Sequence, residues 1–171
     1  MKAFIVGFAV MLAMALAPAL VLPAVADQAF PSSLPVREVS GPVRAADVRP
    51  LFADVPQGGY PDHFPFGQCT WWAAFNVRVT WWGDAAAWLA DARAAHRTTS
   101  AVPVVHSIVV YAPSPGYSRW GHVGVVVAAG PAEFRVSEMN YADGGRGTGT
   151  VDERESRWPD GSVEGFILPD P

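Results

Sequence analysis

The stretch FPFGQCTWWAAF, Phe64 to Phe75, holds Cys69, the single cysteine of a 171-residue chain, between a glycine and a run of aromatic and small residues. Gly67 supplies a turn. From there residues 68–82 (QCTWWAAFNVRVTWW) set Trp71, Phe75, Val79 and Trp82 at three- and four-residue spacing, which predicts a helix with one apolar stripe. Gly83 stops it, and Asp84 reads as the N-cap of a second helix over 85–96 (AAAWLADARAAH), ahead of Thr98, Thr99, Ser100 and Pro103. A cysteine at the first turn of a helix faces unpaired backbone N–H groups and the positive end of the helix dipole, which favour a thiolate. The same position also suits a small buried hydrophobe, so the choice rests on what surrounds it.

Beyond Pro103 the period changes. The runs 107–112 (SIVVYA), 121–129 (GHVGVVVAA), 133–141 (EFRVSEMNY), 149–156 (GTVDERES) and 163–168 (VEGFIL) are short strand patterns. Loops rich in glycine and proline separate them: PSPGYSRW, GP, ADGGRG and WPDG. Two helices followed by short strands predict an α+β fold in which the cysteine helix packs on one face of an antiparallel sheet.

A nucleophilic thiol needs an imidazole to take its proton, and the imidazole needs an acceptor that fixes its tautomer. Of the four histidines, His122 opens a strand after a glycine and shares a face with Gly124 and Val126 by alternation. On the next strand Glu138 and Asn140 are two residues apart, hence about 7 Å apart on one face, beside Phe134 and Val136. Polar groups on an apolar face require buried partners or a function. The short Gly130-Pro131 connection makes the two strands neighbours, so either Glu138 or Asn140 can accept from His122. Among the seven tryptophans, Trp71 and Trp82 fit the inner stripe, while Trp72 and Trp120 are candidates to line a substrate groove by stacking. Asp62 and His63 lie side by side, but two ligands without others at metal spacing read as loop surface. His96 suits the end of the second helix, and His106 has no evident partner. No metal or cofactor is expected.

The first residues, MKAFIVGFAVMLAMALAPALVLPAVADQ, show a basic start, an apolar run and an Ala24-Val25-Ala26 cleavage pattern. Residues 1–26 therefore read as a signal peptide cut after Ala26, with no lasting membrane anchor and an exported product. Residues 27–59 carry Pro31, Pro35, Pro42, Pro50 and Pro56 without a steady hydrophobic period, and read as a linker or loosely docked arm. The folded domain is expected over 60–171. The chain has 12 Lys and Arg, of which Lys2 leaves with the leader, against 16 acids. About five net negative charges then remain, which argues against a nucleic-acid partner. With one cysteine no internal disulfide can form, and an odd thiol in an exported protein is a flag for reactivity.

Taken in order, FPFGQCTWWAAF, WGDAAAWL, SIVVYAP, WGHVGVVV and VSEMNY resemble the CHAP family, cysteine- and histidine-dependent amidohydrolases and peptidases that cut bacterial peptidoglycan. The resemblance spans about residues 60 to 168. It implies a papain-like α+β fold with the nucleophile at a helix start, and it puts the family's cysteine on Cys69, its histidine on His122, its acid on Glu138 and its asparagine on Asn140. The chain departs from the pattern at His106, where glycine is common before the Ser-Ile strand. It also has only Asp62 where calcium-binding members have several acids, so no calcium is carried over. The expectation is a secreted hydrolase of peptidoglycan amide bonds, either an N-acetylmuramoyl-L-alanine amidase or an endopeptidase of the stem or cross-bridge. The alternatives are a non-catalytic wall-binding or assembly protein, and a cysteine amidase or peptidase with a non-wall substrate. Partner proteins are not indicated.

Overall fold

A computed structural model describes residues 41–141 and 147–171. The expected signal peptide, the first part of the expected arm and most of the ADGGRG loop lie outside the described residues. Among the described residues, no helix is long and apolar enough to cross a membrane.

Seven strands form one antiparallel sheet: β1 (Gly41–Pro42), β2 (Thr99–Ser100), β3 (Ile108–Tyr111), β4 (His122–Ala129), β5 (Glu133–Met139), β6 (Thr150–Arg157) and β7 (Val163–Ile167). Their order across the sheet is β1-β6-β5-β4-β3-β7-β2. Strands β3 to β6 run as a meander, and β7 returns to pair with β3. All five expected strand runs are present; four are trimmed by a residue or two, and the 149–156 run is shifted by one to Thr150–Arg157.

Both faces of the sheet are covered, which explains why β3 is buried at every position instead of alternating. On one face helices α1 (Cys69–Asn76) and α2 (Trp88–Ala94) pack over Ile108, Val110, Val123, Val125, Val127, Met139 and Ile167. On the other a smaller cluster joins Val109, Tyr111, Val126, Phe134, Val136 and Phe166.

The first helix is shorter than the apolar spacing predicts. It ends at Asn76, and Val77 is extended at φ −134° and ψ 130°. The residues that follow, Val77-Arg78-Val79-Thr80, are largely β-branched and favour extended backbone. Asn76 also spends its side chain on the backbone: Nδ2 donates to the Trp72 carbonyl and Oδ1 accepts the Leu51 N–H. From Val77 to Trp82 burial alternates, with Val77, Val79 and Trp81 inside and Arg78, Thr80 and Trp82 outside. Trp82 is therefore 62% exposed, not part of an inner stripe. Trp71 is only half-buried, while Trp72 is fully enclosed. The second helix starts with a 3-10 turn, Ala85–Ala87, and Asp84 makes no side-chain cap.

From Gly41 onward, the region read as a linker or loose arm is part of the core. Val48, Leu51, Phe52 and Val55 are buried in the helix-side cluster. Three contacts hold this segment. β1 pairs with β6, Leu51 N–H bonds Asn76, and Phe52 stacks on the His106 ring with centroids 3.9 Å apart. His106 occupies a left-handed position, φ 72°, which accounts for the glycine expected there. Its ring turns to the arm, with Nε2 3.1 Å from the Asn76 carbonyl oxygen and Nδ1 3.5 Å from Asp54 Oδ2. Irregular backbone hid this docking from any periodicity reading.

Candidate active site

Gly67 adopts φ +96°, where a Cβ would lie 2.5 Å from Thr148 Cγ2. That turn delivers Cys69 as the first residue of α1, on the helix-covered side and at the end of the sheet where β4 begins. Helix α1 is fixed from below by Trp72, whose indole N–H donates to Ser137 Oγ on β5 at 3.2 Å. His122 and the backbone N–H groups of Val123 and Thr70 face the cysteine sulfur and favour its charged form.

His122 lies on the face of Val126, and Glu138 on that of Phe134 and Val136, as strand alternation predicted; this is the face away from the helices. Nε2 of His122 lies 3.0 Å from Glu138 Oε2, which leaves Nδ1 for the sulfur. The glutamate reaches its partner by passing over Gly124, where a Cβ would meet Val136 Cγ2 at 2.4 Å and Glu138 Cβ at 3.2 Å. Any larger residue there would displace the carboxylate.

The electrostatics favour a charge-separated pair. Burial pushes the Cys69 thiol up, but the bond and charge of His122, with the Val123 and Thr70 N–H groups, outweigh it and hold the thiol below its ordinary range. Burial pulls the His122 imidazole down, yet its bonds to Cys69 and Glu138 and their charges push it up to about 9. Both shifts run toward a thiolate beside an imidazolium, which is a nucleophile with a proton ready for a leaving group.

Asn140 is not placed as alternation predicted. It follows the end of β5 with φ 59°, so its side chain leaves the Glu138 face and its Nδ2 donates to Gln68 Oε1 at 2.9 Å. Of the two possible acceptors for His122, Glu138 makes the contact. Asn140 instead orients Gln68, the residue before the cysteine, leaving the Gln68 amide NH₂ as a donor in the cleft. Trp72 is corrected as well: it is wholly buried and bonded to Ser137, so it packs the core and cannot stack on a ligand. Trp120 is 51% exposed, lines the cleft and has the Arg119 guanidinium over its ring at 4.5 Å.

The cleft measures about 420 Å³. Cys69, His122, Gln68 and Asn140 lie at its floor, with Phe64 and Pro65, Asp84, and the 116–121 loop among its walls. Asp62 accepts the Phe64 N–H and His63 stacks on Trp82, consistent with loop surface. Among the described residues no group of three or more His, Cys, Asp or Glu could hold a metal ion.

Sequence reading missed Gln68, Tyr117 and Arg154. Arg154 on β6 donates through Nε to Glu138 Oε1, and Tyr117 stacks on the His122 ring with centroids 5.4 Å apart. The signal for Arg154 was an arginine in a charged strand, legible only once β5 and β6 are paired with Val136 opposite Arg154.

Residues 59–140 match the family model described as the CHAP domain. The fold is similar to the crystal structure of an N-acetylmuramoyl-L-alanine amidase from Staphylococcus aureus, with a TM-score of 0.50 and 24% sequence identity. That match covers 61% of this chain and 31% of the amidase, so the chain spans less than a third of that protein's length. Among curated proteins none matches the sequence. Strand order, the cysteine at a helix start and the match over 59–140 agree: the chain has a papain-like α+β fold, and residues 59–140 are similar to the CHAP domain.

Proposed function

We propose that the protein is an exported cysteine hydrolase of peptidoglycan amide bonds, acting as an amidase or an endopeptidase. The observation that carries this reading is Cys69 and His122 together at an open cleft, with His122 Nε2 3.0 Å from the buried Glu138 Oε2. The Cys69 thiolate attacks a peptide carbonyl, and a carbon–sulfur bond forms. The Cys69 backbone N–H and the Gln68 amide stand beside the sulfur as donors for the developing oxyanion. His122 gives its proton to the amine as the carbon–nitrogen bond breaks. A water then loses its proton to His122 and attacks the thioester, which releases the acid and returns the thiolate. Glu138 holds the ring throughout and stabilises its charge. Trp120, exposed on the rim, offers a flat apolar surface to sugar or peptide. Export rests on the N-terminal leader pattern, and the similarity to a staphylococcal amidase supports peptidoglycan as the substrate class.

The test is digestion of purified peptidoglycan followed by mass spectrometry of the products. New amino termini on L-alanine identify an amidase, and termini within the stem or bridge identify an endopeptidase. Unchanged wall material with wild-type protein, or equal digestion by Cys69→Ala, would sink the proposal.

A further inference from the structure

Glu138 is fully buried, and His122 occupies only one of its two oxygens. With Cys69 as thiolate and His122 as imidazolium, Glu138 would leave one net negative charge in a dry site, an expensive arrangement unless it is balanced. Arg154 balances it. Its Nε donates to Glu138 Oε1, one terminal nitrogen donates to Ser156 Oγ at 2.7 Å, and the other bonds the Tyr117 hydroxyl and lies 3.5 Å from Glu138 Oε2. The guanidinium also sits against the rings of Tyr111, Tyr117 and Tyr141, at 5.2, 5.7 and 4.6 Å. Four of its five N–H donors are engaged by the protein, and it does not line the cleft.

The groups facing the site are Cys69 from α1, Tyr111 from β3, His122 from β4, Glu138 from β5, Tyr141 after β5, Arg154 and the buried Asp152 from β6, with Asp152 directly opposite Glu138, and Tyr117 from the cleft loop. Asp160, on the turn before β7, adds charge felt by Arg154. Burial pushes Tyr111 and Tyr117 up, Tyr117 to about 12, so both stay neutral. Within the quartet Cys69, His122, Glu138 and Arg154, two negative and two positive charges then cancel, with the buried Asp152 carboxyl lying opposite Glu138 outside that quartet.

Resting on the reading of Cys69 as nucleophile, we propose that Arg154 is a positioning residue. It fixes the Glu138 carboxylate with Oε2 on His122 and holds Tyr117 over the imidazole, so that the Cys69–His122 pair stays charge-separated. A planar fork suits this task, since it grips carboxylate, serine and phenol from one rigid group. Without Arg154 the buried net charge favours uptake of a proton, by Glu138 or by the sulfur, and thiolate formation moves to higher pH.

The experiment reads iodoacetamide alkylation of Cys69 from about pH 4 to about pH 10 in the wild type, Arg154→Gln, Arg154→Lys, Glu138→Gln and the double variant, with thermal melts to confirm folding. Arg154→Gln should raise the midpoint by about one pH unit or more, making alkylation roughly tenfold slower on the acid side. Arg154→Lys keeps the charge but loses the fork, and should fall between. The double variant should differ from Glu138→Gln by less than Arg154→Gln differs from wild type, because the larger part of the effect of Arg154 passes through Glu138. If Arg154→Gln does not fold, the neutral pair in the double variant and the lysine variant decide the matter. A wild-type profile in either single Arg154 variant, or an equal displacement by Arg154→Gln in the wild-type and Glu138→Gln backgrounds, overturns the role of Arg154. An ordinary thiol profile in the wild type overturns the nucleophile reading along with it.

Discussion

The two faces of the sheet are built on different physical terms. The helix-covered face is an apolar layer in which Trp72, Trp88, Ile108, Met139 and Ile167 are fully buried, and its stability scales with area removed from water. The other face carries a smaller apolar cluster, then turns at its His122 end into a network of imidazole, carboxylate, guanidinium and tyrosines. Cys69 comes from the first face and meets His122 from the second at the sheet's end. One layer sets where the sulfur is, and the other sets which protonation state the pair holds. Damage to the first should appear as lost stability, and damage to the second as altered chemistry.

The sharpest break in that division is Cys69→Ala. It should abolish hydrolysis by at least about four orders of magnitude, measured on labelled wall fragments, while shifting the melting midpoint little. On the apolar side, Trp72→Ala should cost about 3–5 kcal/mol in denaturant unfolding, because it opens a cavity and orphans Ser137. Glu138→Gln keeps the shape and removes the charge, and should lower kcat/KM roughly 100- to 1,000-fold. Wild-type activity needs His122 protonated and should fall as pH rises through about 9. Loss of the glutamate charge lowers the imidazole value, so the alkaline limit in Glu138→Gln should move to lower pH, read from a pH–rate profile. The smallest effect is expected away from both faces. His106→Ala loses the Phe52 stack and the Asn76 bond, and should cost about 1–2 kcal/mol in a melt with kcat/KM unchanged.

The strands, the helix start at Cys69 and the shared face of His122 and Glu138 were legible because alternation with period 2 survives in short strands. Asn140 was not, since a left-handed residue just past β5 breaks that alternation, and nothing in a single sequence marks it. The overlong first helix came from tryptophans and valines whose spacing fits period 3.6 as well as period 2. The β-branched residues and Asn76 decided for extended backbone. Arg154 depends on the register between β5 and β6, a long-range fact that strand patterns do not carry. The segment 41–59 is held by single contacts to Asn76, His106 and β6, each invisible before the tertiary structure is known.

The buried residues of that N-terminal segment separate two meanings of the word domain. The unit of homology begins at residue 59. The unit of folding begins at or before Gly41, because Val48, Leu51, Phe52 and Val55 complete the layer over α1. At about 1.5–3 kcal/mol for each large side chain, the segment contributes an amount comparable to the whole net stability of a domain this size. A fragment cut at the homology boundary would keep Cys69, His122, Glu138 and Arg154 and still lack a stable fold to hold them. Shuffling or fusing this domain therefore has to carry the upstream stretch with it.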